Sequence, residues 1–456
     1  MVKLTIHRGT HQIGGCCTEI NCDGERILIG LGANLPDSDA PIQDDELIAK
    51  VFDGRPAAGL LFTHPHGDHY GLYKKVPAGV PMYIGPMAKE ILKVLVSRLD
   101  CISEEKGLPV IERMRTYQAR QELRAFQNIR VLPLYIDHSA PDAYMFYIQA
   151  AGKKILFSGD FRDHGIVGEK ERLWRTLEKF VPRGIDLLIT EGTMLSRRSE
   201  AASNPVQTEE QLGQRAEELF RQHKYNFVLV SSTNLDSIME FYHHTPRGTQ
   251  FACDAYQAEM MLTAMKGMEA KGTFLRYQCA ARQPVIRVLN GDRQAERLSQ
   301  LGAALKNPVG VEPANSSDLY HKGFVMLVRK NANPSANRKN VFEIMRDKFY
   351  PVDGQIIYSM WGGYLKPEHA DKALIGFIGG RPVEHLHTSG HAYVETIARL
   401  IETVQPKVIV PMHTERAEEF SSIPAFSPYT DRVWVLRDGQ GLSLDTLSIQ
   451  TKEDKS

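Results

Sequence analysis

The chain has 456 residues, of which 42% are hydrophobic and 24% are charged, and its 55 Lys and Arg balance its 55 Asp and Glu. These values are typical of a globular protein and exclude a disordered or fibrous one. Because the net charge is zero, binding of a polyanion would need a local basic patch. The length favours two domains.

The chain shows no signal for export or for a membrane. Its start, "MVKLTIHRGTHQ", lacks the apolar core of a signal peptide, and no apolar run approaches the length of a bilayer span. The cysteines show neither paired zinc spacing nor the density of a disulfide scaffold. We therefore expect a cytoplasmic protein with no membrane partner, whose cysteines are reduced and structural.

The first part of the chain predicts strands followed by a helical tract. Residues 2–34 alternate like short strands around turns, with Asp23-Gly24 as a hairpin signal. A strand and a polar loop follow at residues 58–70. Apolar residues at helix spacing then predict a helical tract from about Pro86 to Gln127.

The later part predicts a second domain inserted into the first. "IRVLPLYI" and "GIDLLIT" return to strands, and from about Ser196 the chain alternates strand, loop and helix units, which is typical of a parallel α/β layer. Strands and histidines come back at "RPVEHLHTSGHA" and "KVIVPMHTE". The chain therefore reads as one domain interrupted by another.

The loop "THPHGDH" directly follows the apolar run "AGLLF" and carries His64, His66, Asp68 and His69. Imidazole and carboxylate suit zinc and similar divalent ions, and a loop at a strand end can aim them at one small volume. The alternative to a metal site is an ordinary polar turn that happens to carry these side chains. Because one tetrahedral site uses about three protein ligands and one water, this loop could overfill a single site, and a second metal is predicted.

Three further strand ends carry a possible ligand: His138 in "LYIDHSAPDA", Asp160 in "KKILFSGDFR" and His413 in "KVIVPMHTE". Each alone is more often a satisfied surface residue than a ligand. In an α/β chain, however, such strand ends converge at one edge of the packed sheets.

Together these motifs carry a family resemblance. "THPHGDH", "DHSAPDA", "SGDFR" and "VPMHTE" resemble the metallo-β-lactamase fold, and "LLITEGT", "SSTNLDS", "SMWGGY" and "HTSGHA" resemble its β-CASP nuclease branch, which includes ribonuclease J and RNA 3′-end processing endonucleases. The resemblance implies an α/β protein in which an αββα sandwich, residues 1–195 and 370–456, is interrupted by a β-CASP α/β domain at residues 196–369.

The resemblance also implies two Zn²⁺ ions, with Mn²⁺ as the alternative metal. One ion would be held by His64, His66 and His138, the other by Asp68, His69 and His413, and Asp160 would bridge them. Asp68, His391 and Glu191 are the implied catalytic residues. His391 would face the leaving oxygen as a proton donor or charge stabiliser, and Glu191 would orient that histidine.

A phosphate pocket is implied near the RNA 5′ end, with Ser232, Asn234, His387 and Ser389 as its donors. An ordinary polar turn is the alternative. Lys330, Arg338 and Lys339 form a basic stretch that is a candidate for contact with backbone phosphates, although such stretches are more often solvated loops.

Gly30 departs from the family pattern, which has an aspartate of the form D-x-G at this strand end. Such an aspartate supports a ligand histidine, and its loss typically costs about 10 to 100-fold in metal affinity or activity. We therefore expect attenuated activity. Gly30→Asp should tighten zinc, provided that the backbone there does not need a positive φ.

The predicted function is a zinc-dependent ribonuclease that cuts single-stranded RNA endonucleolytically, in the 5′-to-3′ exonucleolytic direction, or both. The alternatives are a DNA-processing β-CASP nuclease, a small-molecule ester or thioester hydrolase, and an RNA-binding scaffold. In the DNA-processing branch the position of His413 is usually aliphatic, so the histidine favours RNA. The sequence leaves the oligomeric state open.

Overall fold

The computed structural model describes residues 1–36, 40–101, 103–167, 171–271, 284–329 and 339–450. The chain divides into two compact units, Met1–Asn204 with Gly390–Ser456, and Pro205–Ser389. The sequence predicts the inserted domain at residues 196–369. In the structure, a strand at Val383–His385 still pairs within the sheet of the second unit, which keeps the chain in that unit beyond residue 369.

The first unit contains two β-sheets. Its strands, numbered along the whole chain, are β1 Val2–Arg8, β2 Cys17–Cys22, β3 Glu25–Ile29, β4 Gly59–Leu61, β5 Met82–Ile84, β6 Arg115–Thr116, β7 Ile129–Ile136, β8 Ala143–Ala150, β9 Lys153–Phe157, β10 Leu187–Glu191, β18 Val408–Met412, β19 Gly441–Ser443 and β20 Ser448–Gln450. One sheet has the order β20-β19-β1-β2-β3-β4-β5-β6 and the other β18-β10-β9-β8-β7.

The helices of the first unit lie between these strands. They are α1 Asp44–Val51, α2 Gly67–Tyr70, α3 Pro86–Leu99, α4 Leu108–Arg113, α5 Arg172–Phe180, α6 Arg198–Ser203 and α14 Val394–Val404. The predicted helical tract from Pro86 to Gln127 is confirmed at α3 and α4 and is wrong between them and after Arg113. The Asp100 carboxylate accepts the N–H groups of Gly107 and Leu108 and so stabilises a loop before the chain re-enters a short helix.

Strand alternation builds the layers of the first unit. Ile27 and Ile29 face a core between the two sheets, whereas Leu28 faces a second core that includes residues of α1, α3 and α4. In the other sheet, Ile189 joins the core between the sheets and Leu188 packs with residues of α5 and α14. The order helix, sheet, sheet, helix confirms the predicted αββα sandwich.

Parallel pairing gathers several strand ends of the first unit at one edge. β10 is parallel to both β9 and β18, so Phe157, Glu191 and Met412 end neighbouring strands on the same side. Asp160 and His413 follow directly. The sheet therefore delivers these polar side chains to one place.

The second unit is a parallel α/β layer. Its strands are β11 Tyr225–Val230, β12 Gln250–Cys253, β13 Ile286–Val288, β14 Val311–Pro313, β15 Phe324–Val328, β16 Gly354–Ser359 and β17 Val383–His385. Its helices are α7 Glu209–Phe220, α8 Leu235–His243, α9 Ala255–Lys271, α10 Asp292–Ala303, α11 Ser316–Lys322, α12 Val341–Asp353 and α13 Lys372–Ile378. The order β14-β13-β12-β15-β11-β16-β17 is parallel throughout, as the strand and helix alternation predicts. Among the described residues, no helix combines the length and apolarity of a membrane span.

Gly30 occupies a position that favours glycine for two reasons. Its φ is +73°, in the left-handed region, and a Cβ there would lie 2.9 Å from the backbone oxygen of Cys16. The expected gain from Gly30→Asp required a backbone without a positive φ at this position, and the structure does not meet that condition. Whether the missing carboxylate attenuates activity stays a prediction.

We expect Gly30→Asp to destabilise the protein and to give no gain in zinc retention. The left-handed backbone costs an L residue about 1–2 kcal/mol, and the contact with the Cys16 carbonyl adds to that cost. Thermal unfolding and activity during a chelator titration measure the two effects.

Gly152→Asp is the matched control, because Gly152 has a φ of +78° but a Cβ there meets no atom within 4 Å. The control should show only the cost of the backbone conformation. A Gly30→Asp protein that is as stable as this control and holds zinc more tightly than the parent would overturn the prediction.

Candidate metal centre

The ligand loop is held in place by backbone contacts with two neighbouring segments. The N–H of Leu31 donates to His69 O at 2.8 Å, and the N–H of Cys16 donates to Asp68 O at 3.1 Å. A Cβ on Gly32 would lie 1.6 Å from Asp68 O, so only glycine permits this approach. The loop is therefore fixed by main-chain geometry as well as by its own turn.

The first histidine group comprises His64, His66 and His138, whose candidate ligand atoms lie within 4.8 Å of one another. His138 Nδ1 lies 2.5 Å from the carbonyl oxygen of Gly390 and must carry the proton to donate to it, which leaves Nε2 as the ligand atom. His64 Nδ1 lies 3.0 Å from Thr63 Oγ1. These contacts fix two imidazoles with their Nε2 atoms available to an ion.

The second group comprises Asp68, His69, Asp160 and His413, again with ligand atoms within 4.8 Å of one another. His413 Nε2 lies 3.3 Å from Asp68 Oδ2, and His413 Nδ1 lies 2.7 Å from Thr193 Oγ1. His413 itself adopts a left-handed conformation with φ at 51°. Strain of this kind is common where a side chain is held for function.

Asp160 lies between the two groups. Its Oδ2 atom is 2.9 Å from His69 Nε2 and 3.6 Å from His413 Nε2 in one group, and 3.8 Å from His64 Nε2 in the other. A single carboxylate thus reaches both histidine groups, as a bridging ligand must.

Two buried nitrogens show that this donor set suits a cation. His64 Nε2 and His69 Nε2 are buried and make no hydrogen bond within the described part of the chain, although Asp160 lies close to the latter. A buried polar atom left without a partner is costly, and coordination of a divalent ion would satisfy both nitrogens. The residues therefore fit a divalent metal centre.

Burial keeps the first group neutral. Burial, followed by the neighbouring imidazoles, holds the pKa of His64 and of His138 well below the usual histidine value. Burial also lowers the pKa of His66 to about 4. Neutral imidazole is the form that binds metal.

The second group has the opposite electrostatics. Burial disfavours the charged form of both histidines, but the nearby carboxylates of Asp160 and Asp68 outweigh burial. They raise the pKa of His69, and they raise the pKa of His413 to about 9. In return, His69 and His413 hold the pKa of both carboxyls below the usual aspartate value. Without an ion this group carries protons, so metal binding should release them.

His391 and Glu191 form the predicted pair. His391 Nδ1 lies 2.9 Å from Glu191 Oε2, and the buried Glu191 also accepts the N–H of Phe161 at 2.8 Å. His391 Nδ1 is 3.8 Å from Asp160 Oδ2. The carboxylate can therefore orient the imidazole beside the metal ligands.

The predicted phosphate donors lie at the carboxyl edge of the second unit's sheet. Ser232 and Asn234 follow β11, while His387 and Ser389 follow β17, and β16 separates these two strands. Asn234 caps α8 with its side chain. The Ser232 hydroxyl is buried and has no hydrogen-bond partner among the described residues.

Glu209 joins these two loops, a role that sequence reasoning missed. This buried carboxylate accepts Thr388 Oγ1 at 2.6 Å and Ser237 Oγ at 3.0 Å, and so ties the 387–389 loop to the first turn of α8. In the sequence it stands in the polar run "QTEEQ", which is typical of a solvated helix start. Its burial could be seen only in the fold.

The basic stretch contributes little to this description. Lys330 and Arg338 lie outside the described residues. Lys339 is exposed and lies 2.6 Å from the carboxylate of Asp347. Contact of this stretch with RNA phosphates stays a prediction.

Two family models match the chain. Residues 17–198 match the "Metallo-beta-lactamase superfamily", and residues 378–421 match a "Zn-dependent metallo-hydrolase RNA specificity domain".

Similar proteins span most of the chain. Ribonuclease J of Pyrococcus abyssi is 20% identical over 445 residues, which cover 91% of this chain and 90% of that protein. Ribonuclease J of Helicobacter pylori (strain B128) is 23% identical over 427 residues, but the match covers only 56% of that longer protein. A crystal structure of a protein of unknown function from Enterococcus faecalis V583 superposes with a TM-score of 0.67 at 19% identity, covering 97% of this chain and 99% of that one.

The sandwich with its inserted α/β unit, the clustered histidines and aspartates, and these similarities agree with one another. Residues 17–198 match a metallo-β-lactamase domain and the chain as a whole is similar to ribonuclease J, so these findings together support a metal-dependent hydrolase with a β-CASP-type fold.

Proposed function

We propose that the chain hydrolyses phosphodiester bonds of single-stranded RNA as a two-zinc enzyme, with Mn²⁺ as the alternative metal. It would cut endonucleolytically, exonucleolytically in the 5′-to-3′ direction, or in both ways. The observation that carries the proposal is the position of Asp160, whose Oδ2 lies within 3.8 Å of histidine nitrogens in both groups. When bound, the two ions would supply Lewis-acid stabilisation of phosphoryl oxygens and an activated water.

The chain's own residues supply the proton. Glu191 holds Nδ1 of His391, and Nε2 is the ring atom that would give a proton to the leaving oxygen. The backbone N–H of Phe161 donates to Glu191 Oε1 and helps to hold the carboxylate in this orientation. Asp68 is held close to His413 and would orient the second group.

The second unit would hold the RNA phosphate. The buried hydroxyl of Ser232, together with Asn234, His387 and Ser389, offers donors of the kinds that bind phosphate oxygens. Glu209 would keep the loops of this pocket together through Ser237 and Thr388. The segment matched as an RNA specificity domain includes His387, Ser389, His391 and His413.

A substrate panel tests the proposal as a whole. The metal-loaded protein is incubated with 5′-labelled single-stranded RNA, single-stranded DNA of the same sequence, and a chromogenic ester. Preferential cleavage of RNA is expected. Preference for DNA or for the ester would assign the site to one of the alternative functions.

We expect two zinc ions per chain and a strong loss of metal in Asp160→Asn, because this change removes the ligand that reaches both groups. Metal analysis after zinc reconstitution measures the stoichiometry. Asp163→Asn is the matched control, since Asp163 lies in the same segment and its carboxylate accepts a hydrogen bond from Thr396.

The control should keep both ions and its activity. Parent protein with well under one zinc, or Asp160→Asn protein with two zincs and near-normal turnover, would rule out the dinuclear centre.

We expect His391→Ala to keep its metals but to cut RNA about 100-fold more slowly, the usual scale for a positioned proton donor. A p-nitrophenyl phosphodiester supplies the comparison, because its leaving group departs without a proton. The loss on this substrate should be much smaller. Equal losses on the two substrates would move the proton-donor role to another residue.

We expect RNA with a 5′-monophosphate to be degraded faster than RNA with a 5′-hydroxyl, and Ser232→Ala to reduce that preference about tenfold, the worth of one hydrogen bond to a charged group. Ser443→Ala is the matched control, since Ser443 is a buried hydroxyl without a described partner on β19 of the first unit.

Ser443→Ala should leave the preference unchanged. Equal rates for the two RNAs with the parent protein would exclude a 5′-phosphate pocket and leave endonucleolytic cutting as the better description.

A further inference from the structure

The thiol of Cys16 lies beside the candidate metal ligands. Cys16 is buried just before β2, and its Sγ atom lies within 4.8 Å of ligand nitrogens of both His69 and His413. Its main chain is fixed on both sides, because its N–H donates to Asp68 O and its C=O accepts the N–H of Gly32. The thiol therefore faces two candidate ligands of the second group from a rigid position.

A second observation also indicates an ion at this point. His69 Nε2 is buried and makes no hydrogen bond within the described residues. The same nitrogen lies 2.9 Å from Asp160 Oδ2, so a thiol, an imidazole and a carboxylate converge at one point, and zinc commonly takes mixed cysteine and histidine ligands.

We propose that Cys16 is an additional, thiolate ligand of the divalent ion held by His69 and His413. The proposal rests on the metal centre of the proposed function. As the sulfur–metal bond forms, the thiol proton leaves to solvent and the thiolate electron pair is donated to the ion, so the ion gains one negative ligand.

The surroundings explain why the thiol would ionise only with an ion present. Burial, and then the charges of Asp160 and Asp68, raise the pKa of Cys16 well above the usual thiol value. A coordinating thiol is nevertheless deprotonated by a divalent cation. Without metal the side chain is a neutral buried thiol.

The extra donor would change which ions the second group prefers. With Cys16, the group offers five donors where tetrahedral zinc uses four, so the thiolate would compete with a carboxylate or with water. Thiolate favours zinc and cadmium, whereas manganese prefers oxygen ligands. We expect the ratio of cadmium to manganese affinity to fall about tenfold in Cys16→Ser.

Cys17 provides the matched control. It is equally buried and adjacent in sequence, but it packs in the core that includes α1 and α3, whereas Cys16 lies in the core between the sheets. Cys17→Ser therefore tests the cost of a hydroxyl at a buried cysteine position without touching the metal ligands.

Cobalt substitution tests the proposal directly. The Co²⁺-loaded parent should show a thiolate-to-cobalt charge-transfer band in the near ultraviolet, which Cys16→Ser loses and Cys17→Ser keeps. The visible d–d bands should persist in all three proteins. Parent protein with d–d bands but no charge-transfer band would overturn the proposal, whereas absence of both would overturn the metal centre itself.

X-ray absorption of the zinc-loaded parent gives the same answer without a variant, should Cys16→Ser not fold. A zinc–sulfur distance of about 2.3 Å is expected. A shell of nitrogen and oxygen alone would overturn the proposal.

Discussion

The metal centre depends on the contact between the backbone of Gly32 and the carbonyl oxygen of Asp68. A Cβ at Gly32 would lie 1.6 Å from that oxygen, so any other residue would push the ligand loop away from the strand. The hydrogen bonds of Leu31 and Cys16 to the same loop require this close approach. Main-chain packing therefore fixes the ligand loop, and the position of the loop determines where the imidazoles and carboxylates lie.

The two histidine groups differ in electrostatics although Asp160 reaches both. In the first group, burial and mutual repulsion keep the imidazoles neutral and ready for a cation. In the second, the buried carboxylates raise the pKa of His69 and His413 and so favour their protonated forms. Binding of an ion to the second group would therefore release protons.

Much of the fold and the site could be predicted because the strand ends are explicit in the sequence. Apolar runs followed by His138, Asp160 and His413 predict that these side chains meet, and the parallel pairing of β10 with β9 and β18 brings the last two together. The sequence could not predict features that depend on three-dimensional packing.

Three residues illustrate this limit. The sequence left open whether Gly30 needs a positive φ, and only the fold shows its left-handed backbone and its close approach to the Cys16 carbonyl. The cysteines were interpreted as structural because their spacing matches neither a zinc motif nor a disulfide scaffold, and the position of the Cys16 thiol beside His69 and His413 is visible only in the fold. Glu209 was hidden in a charged run. In each case the neighbours that matter come from distant parts of the chain.

The position of the inserted unit has a consequence for synthesis on the ribosome. His64, His66, His138 and Asp160 all precede residue 205, whereas His391 and His413 follow residue 389. A nascent chain can therefore bring His64 and His66 together early, whereas His413, the His391–Glu191 pair and the Gly390 carbonyl that holds His138 must wait until the whole insertion has been translated. The order of the polypeptide thus leaves the candidate metal centre incomplete until the last part of the sandwich has been made.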